Sequence, residues 1–297
     1  MSRVKEPAAP KGLVEAAFER RGARAEALAG EARTAAEPLR FAAGLLRVQG
    51  RLAAAVESAH TGRPLCGRLD PDLDRFQFGL AEALRFAAES GPLALAEEAR
   101  SRGRDEASVA RSRLLVFWSG DSEPGEGYYL SRALLRPYVE VLRGLGIAPD
   151  RVHRPGECPF CGGAPWIAAR RSESDADGAR RLLGCALCGE EWPFGRIRCP
   201  CCFEEDPMKL PSFRSETYPT VRIEACETCR RYVKSIDLTA DAQAIPEVDD
   251  LVSLGMDLWA QEQGYARVAP GLAGNPDRGL LAGAAHGRPE GPAEPLR

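Results

Sequence analysis

Residues 185–202 read CALCGEEWPFGRIRCPCC, and the pairing of these cysteines decides how the second half of the chain folds. The stretch opens on one Cys-x-x-Cys pair, Cys185 and Cys188, and closes on three cysteines in four positions, Cys199, Cys201 and Cys202. A tetrahedral metal site or a disulfide takes a defined pair, so one of the three is extra. The flanking sequence settles which. Upstream, CPFCG holds Cys158 and Cys161; downstream, CETC holds Cys226 and Cys229. From Cys158 to Cys199, Cys161 to Cys202, Cys185 to Cys226 and Cys188 to Cys229 the separation is 41 positions each time. Four pairs at one offset mark an internal duplication. Cys199 and Cys202 are therefore the pair, and Cys201 is read as a spectator thiol.

Each half is Cys-x2-Cys, 23 residues, then Cys-x2-Cys. Two residues between cysteines let a tight turn present both sulfurs to one ion while backbone N–H groups point at the thiolates. The glycines after Cys161 and Cys188 suit such a turn, since glycine takes positive φ without a Cβ clash. The 23-residue loop is long enough for a short hairpin, with RSESDADGARR (171–181) as the first tip and RLLGC (181–185) and RIEAC (222–226) as return strands. The expected product is two tetrahedral four-sulfur cages, one from Cys158, Cys161, Cys185 and Cys188, the other from Cys199, Cys202, Cys226 and Cys229. Such cages suit Zn2+ or a single iron. Four thiolates leave no open coordination position, so the ions are expected to hold the fold and not to bind a substrate.

The rest of the composition narrows the function classes. Nine of ten cysteines fall between 158 and 229, with Cys66 alone before them; such clustering points to metal before disulfides in a reducing compartment. The formal net charge is −3, and residues 151–240 carry 14 Lys and Arg against 13 Asp and Glu. Thiolate cages would turn that near-neutral segment negative, which argues against a nucleic-acid ribbon, although Arg170–Arg171, Arg180–Arg181 and Arg230–Arg231 could form local basic patches. No apolar run approaches the roughly 18–20 residues of a membrane span. MSRVKEPAAPKG at the start lacks the apolar stretch of an export signal, so a cytoplasmic location is expected. His60, His153 and His286 have no partner motif, and no phosphate loop, dinucleotide fingerprint or nucleophile elbow is present. The chain is not read as an enzyme.

The first half reads as helical. Phe41, Leu45, Val48, Leu52 and Val56 recur at steps of three and four; so do Leu73, Phe76, Leu80 and Leu84, and Leu130, Leu134, Tyr138, Val141 and Leu145. SRLLVFW (112–118) is apolar on all sides and is expected to be a central, buried helix. Breaks fall at GRP (62–64), GP (91–92) and GDSEPGEG (120–127). VDDLVSLGMDLWAQEQGYARV (248–268) offers one more amphipathic helix. The expected organisation is α+β and multidomain. A flexible 1–12 precedes an α-helical domain over 13–150, a first four-cysteine ribbon over 151–195 and a second over 196–245. A C-terminal helix over 246–270 and a disordered tail over 271–297 complete it.

A helical N-terminal domain followed by CPFCGGAPWIA, RLLGCALCGEEWPFGRIRC, EACETCRRYVKSID and DLWAQEQGYARVAPGLAG resembles the formate dehydrogenase accessory protein family FdhE. The resemblance spans about residues 13–274. It implies two tandem rubredoxin-like ribbons, of the zinc-ribbon kind, and a cytoplasmic, non-catalytic maturation factor. Its protein client would be the catalytic subunit of a respiratory formate dehydrogenase, bound before export. It favours rubredoxin-type iron in both cages, with zinc as the alternative metal, and leaves room for a homo-oligomer. Two other classes stay open on the residues alone: a rubredoxin-type electron-transfer protein, and a nucleic-acid-binding zinc ribbon. Trp166, Trp192, Phe194 and Phe203, between the cysteine pairs, are read either as contact anchors for a client or as ribbon core.

Overall fold

A computed structural model describes residues 12–32, 34–120, 128–172 and 179–273. The stripe Phe41–Val56 is buried along its whole length, because it is the inner face of a long helix. Helix α1 (Leu13–Glu31) and helix α2 (Ala36–Gly62) form a hairpin that buries Phe18, Ala25, Leu39, Leu46, Ala53 and Val56. A short α3 (Leu69–Leu73), α4 (Gln77–Ser90), α5 (Leu93–Arg102) and α6 (Ala107–Ser119) wrap this hairpin. Helix α4 approaches closely only because residue 44 is glycine: a Cβ there would lie 2.3 Å from the Phe86 ring.

The central helix is α7 (Tyr128–Gly144), not α6. Helix α6 buries Leu114, Phe117 and Trp118 but leaves Val116 52% exposed, so its apolar run is one-sided packing against the bundle edge. Helix α7 is buried on nearly every side, including at Arg132, Arg136 and Glu140. Its interior Pro137 lacks the N–H that would bond the carbonyl of Ala133 one turn back. The buried Gln49 side chain of α2 supplies the missing donor, with Nε2 at 2.8 Å from that carbonyl.

The cysteine-rich half forms one continuous sheet. Its strands are β1 (Pro165–Ser172), β2 (Ala179–Cys185), β3 (Glu191–Pro193), β4 (Ser212–Arg214), β5 (Val221–Ala225), β6 (Arg231–Asp237) and β7 (Ala266–Arg267). Each half contributes an antiparallel trio, β1–β2–β3 and β4–β5–β6, and the trios join through parallel pairing of β1 with β6. Ile167 lies opposite Lys234 in that join. The ribbons are thus fused side by side, and β7 adds to β6 in parallel. The hairpin tip at 173–178 lies outside the described residues.

The segment read as a helix over 248–268 is divided. Helix α8 (Pro246–Asp249) runs into a 3-10 turn (Asp250–Ser253), and then α9 (Leu254–Glu262) leads to β7. The division has a polar cause: the 3-10 turn aims the Asp250 and Ser253 carbonyls and side chains at the buried ammonium of Lys234 on β6. Residues 271–273, assigned to the tail by sequence, are packed. Arg132 of α7 donates to the carbonyls of Pro270 and Gly271, and the Tyr129 hydroxyl donates to that of Leu272 at 2.6 Å. The tail beyond 273 lies outside the described residues.

Helices and sheet meet on α7. Glu140 pairs with Arg21 of α1 and Arg136 of α7, both at 2.7 Å, and Glu247 of α8 receives the same two guanidinia. The Trp166 ring of β1 lies under Arg132 and Arg136.

Candidate metal centres

The four turns that carry the cysteine pairs share one hydrogen-bond pattern. Gly162 N–H bonds the Cys158 carbonyl, and Cys158 N–H bonds the Gly163 carbonyl. In the second half Phe203 N–H bonds the Cys199 carbonyl, and Cys199 N–H bonds that of Glu204. The turns at Cys185 and Cys226 repeat the pattern through Gly189 and Glu190, and through Arg230 and Arg231. Every partner moves by the same 41 positions. The turn requires positive φ at the residue after each second cysteine: Gly162 at 64°, Gly189 at 68°, Phe203 at 63° and Arg230 at 55°.

These turns place the sulfurs in two tetrads. Cys158 Sγ is 3.5 Å from Cys188 Sγ, and Cys161 Sγ is 3.5 Å from Cys185 Sγ. In the second tetrad Cys199 and Cys229 are 3.7 Å apart, and Cys202 and Cys226 are 3.6 Å apart. Within each tetrad all sulfurs lie within 4.8 Å of one another. A tetrahedron with metal–sulfur bonds of about 2.3 Å has edges of roughly 3.8 Å, so both tetrads fit one ion. Without a cation, burial pushes the Cys188 thiol up and holds Cys199 at about 11. Four thiolates at such spacing need a positive ion between them. A Cβ on Gly163 would sit 2.7 Å from Cys185 Sγ, so the first cage closes against bare backbone.

The third cysteine of CPCC now has a place. Cys201 donates its backbone N–H to Cys199 Sγ at 3.4 Å, as Leu187 does to Cys185 Sγ at 3.3 Å, while its side chain is exposed. It serves the second tetrad through its backbone alone. Cys202→Ser is therefore expected to lower metal content from two ions per chain to one, and Cys201→Ser to leave it at two. Elemental analysis of iron plus zinc in the purified variants measures this; metal loss in the Cys201 variant alone would mean that the duplication register is misread.

The two tetrads sit differently. All four cysteines of the first are fully buried, and its turns are tied to the helices. Arg151 donates to the Cys161 carbonyl at 3.0 Å and to the carbonyl of Trp118, and Arg143 pairs with Glu190 at 2.9 Å. In the second, Cys199 and Cys226 are buried while Cys202 and Cys229 reach solvent. Phe203 and Arg230 occupy left-handed backbone that normally favours glycine, and their side chains find partners. The Arg198 guanidinium lies 5.0 Å over the Phe203 ring, and that of Arg230 lies 4.0 Å over Tyr265. Applying the 41-residue offset to Gly162 and Gly189 would have located both strained positions in the sequence. The ties through Arg143, Arg151 and Glu190 had no such signal.

Of the aromatic residues between the pairs, Trp166 and Trp192 are core, at 2% and 8% exposure, while Phe194 is packed against that core and Phe203 is half-buried. His60 accepts the Leu65 N–H through Nδ1 and joins neither tetrad, Cys66 is exposed, and His286 lies outside the described residues.

Two family models meet at the seam between the halves. The central domain of FdhE matches residues 157–196, and the C-terminal domain of FdhE matches residues 197–273. The cysteine-rich half matches the FdhE family in both of these domains. An FdhE homolog of Aquifex aeolicus is 36% identical over 173 residues, which cover 56% of this chain and 60% of that protein. An FdhE homolog of Pseudomonas aeruginosa is 35% identical over 119 residues, 39% of this chain and 38% of that one. The matched stretches thus span less than two thirds of these curated relatives. The crystal structure of the FdhE protein from Pseudomonas aeruginosa superposes with a TM-score of 0.63 at 25% identity, covering 92% of this chain and 100% of that one. The likeness therefore extends over the helical half, which neither family model matches.

Proposed function

We propose that this chain is an FdhE-type, non-catalytic accessory factor in the maturation of a formate dehydrogenase. It acts in the cytoplasm on the catalytic subunit, before that subunit is exported. The observation that carries this reading is the match of the FdhE fold across both halves of the chain, joined to two tetrads whose donor sets are complete. Cys158, Cys161, Cys185 and Cys188 would hold one ion, and Cys199, Cys202, Cys226 and Cys229 the other. An ion with four thiolates has no position for a substrate, so its contribution is a rigid pair of turns. Iron of the rubredoxin type is favoured by the family resemblance, and the same sulfur set accepts zinc. Among the described residues no helix is long and apolar enough to cross a membrane.

Deleting the gene should abolish most formate dehydrogenase activity while the catalytic polypeptide is still made, and the tagged protein should capture that polypeptide from formate-grown cells. Full activity in the deletion strain, with no dehydrogenase subunit retained on the tagged protein, would overturn the reading.

A further inference from the structure

Beside the second tetrad lies a cavity of about 140 Å³. It opens to solvent between the stretch 196–200, which joins the two halves, and residues of β2, β4, β5 and β6. Five arginines line it: Arg181, Arg196, Arg198, Arg222 and Arg231, together with Ser212. The one carboxylate in the lining, Glu224, is taken by Arg181 at 2.7 and 2.8 Å. Arg198 and Arg222 lean on acids at longer range, Glu205 at 3.4 Å and Asp237 at 3.7 Å. Arg196 and Arg231 pair with no carboxylate among the described residues; they donate to the carbonyls of Ala179 and Arg267. The Ser212 hydroxyl is buried and has no hydrogen-bond partner. A guanidinium carries five N–H donors in a fixed fork, so most of the donors of Arg196 and Arg231 remain to be used.

Charge is crowded here. Burial, with the nearby guanidinia of Arg170 and Arg214, holds Arg222 below the ordinary arginine value. A buried donor without a partner and two guanidinia without carboxylates are the features an anion would satisfy, since charge-assisted bonds from arginine to oxyanions are among the stronger polar contacts. The volume is well above the roughly 10–15 Å³ that admits one water, so a small polyatomic ion can enter, and the opening to solvent leaves room for a larger group attached to it. Arg196 on the joining stretch, Arg231 on β6 and Ser212 on β4 stand on different elements, so their donors come from separate parts of the chain, which four tetrahedrally placed oxygens serve more readily than the two coplanar oxygens of a carboxylate.

We propose that this cavity binds a tetrahedral oxyanion of the phosphate or sulfate class, either free or as the terminal group of a larger molecule. The inference does not depend on which protein the chain serves. It gives the arginines around the second tetrad a ligand of their own, next to Cys199 and Cys226, which also line the cavity.

The test is calorimetric titration of the full-length, metal-loaded protein with inorganic phosphate at constant ionic strength, with acetate as the control anion. Saturable phosphate binding is expected, weakened about tenfold or more in Arg196→Gln and in Arg231→Gln, with two metal ions retained in each. Glycerol phosphate binding as well as inorganic phosphate would identify the group on a larger molecule as the ligand; inorganic phosphate alone would identify the free ion. Should Arg231→Gln not fold, Arg196→Gln on the joining stretch decides the matter alone. The proposal is overturned if phosphate binds no better than acetate, or if the variants bind it as the parent does. It is equally overturned if the variants lose an ion with no anion-specific effect, because the arginines would then be counter-charges for the thiolates.

Discussion

Stripping both ions with a chelator is expected to abolish hydrogen-exchange protection across residues 158–236 while α2 and the α2-facing side of α7 stay protected. The order of magnitude supports a large effect. Structural zinc sites contribute about 10–16 kcal/mol of apparent binding energy in small domains, and whole domains are stable by only about 5–15 kcal/mol. The strands are short, three residues in β3 and β4, and each trio is closed at its turns by one tetrad. Without the cation burial favours the thiol form at Cys188 and Cys199, so the Cys201 N–H loses a charged acceptor and nothing draws the four sulfurs of a tetrad together. The helical core is built differently. Leu39, Leu46, Ala53 and Val56 of α2 and Leu135, Val139 and Leu142 of α7 are buried, and the two helices pack on each other with no sulfur ligand among these residues. We therefore take 13–150 as separately stable from the sheet, and exchange measured by mass spectrometry on metal-loaded and metal-free protein tests this. Simultaneous loss of protection in α2 and the sheet would show one cooperative unit, joined through Glu140 and Glu247.

The tetrads were legible in the sequence because a duplication repeats its register, and a turn that must present two sulfurs tolerates little variation. The return strands at 181–185 and 222–226 followed from the same register, and the α2 stripe from its period. Other features were hidden for physical reasons. Helix α7 looks solvent-facing at Arg132, Arg136 and Glu140, since a pattern of apolar and charged residues does not reveal that charges pair in the interior. SRLLVFW misleads in the opposite sense: an apolar residue such as Val116 is tolerated on the surface at little cost. The parallel join of β1 to β6 links residues far apart in the chain, for instance Ile167 and Lys234, and no local signal encodes it. The break at 250–253 likewise depends on a lysine of another strand.

That lysine carries the last expected result: Lys234→Met should destabilise the protein by about 3–5 kcal/mol. Lys234 is fully buried, with Nζ 3.0 Å from Asp250, 2.5 Å from Asp257, 2.8 Å from the Asp250 carbonyl and 3.1 Å from the Ser253 hydroxyl. Arg267 of β7 pairs with the same two carboxylates at 2.8 and 3.3 Å, and the Tyr232 hydroxyl donates to Asp257 at 2.7 Å. Two cations thus balance two anions in the interior. Removing one cation leaves a carboxylate charge that neither water nor a partner neutralises, which costs more than the lost pair itself. Burial alone would raise the Asp250 carboxyl, but the charges of Arg267 and Lys234 outweigh it and hold the group below its ordinary value. Its contribution is complete above the ordinary aspartate range and is lost as pH falls through the lowered value. The variant should therefore lose most of its deficit relative to the parent only below that lowered value, where both proteins carry a protonated Asp250. Replacing both partners, Lys234→Met with Asp257→Leu, should recover a large part of the loss, because one cation then faces one anion. Urea unfolding of the parent, both single variants and the double variant measures the coupling. A single-variant loss below about 1 kcal/mol would mean that water reaches the quartet, and that the 3-10 turn at 250–253 has another cause.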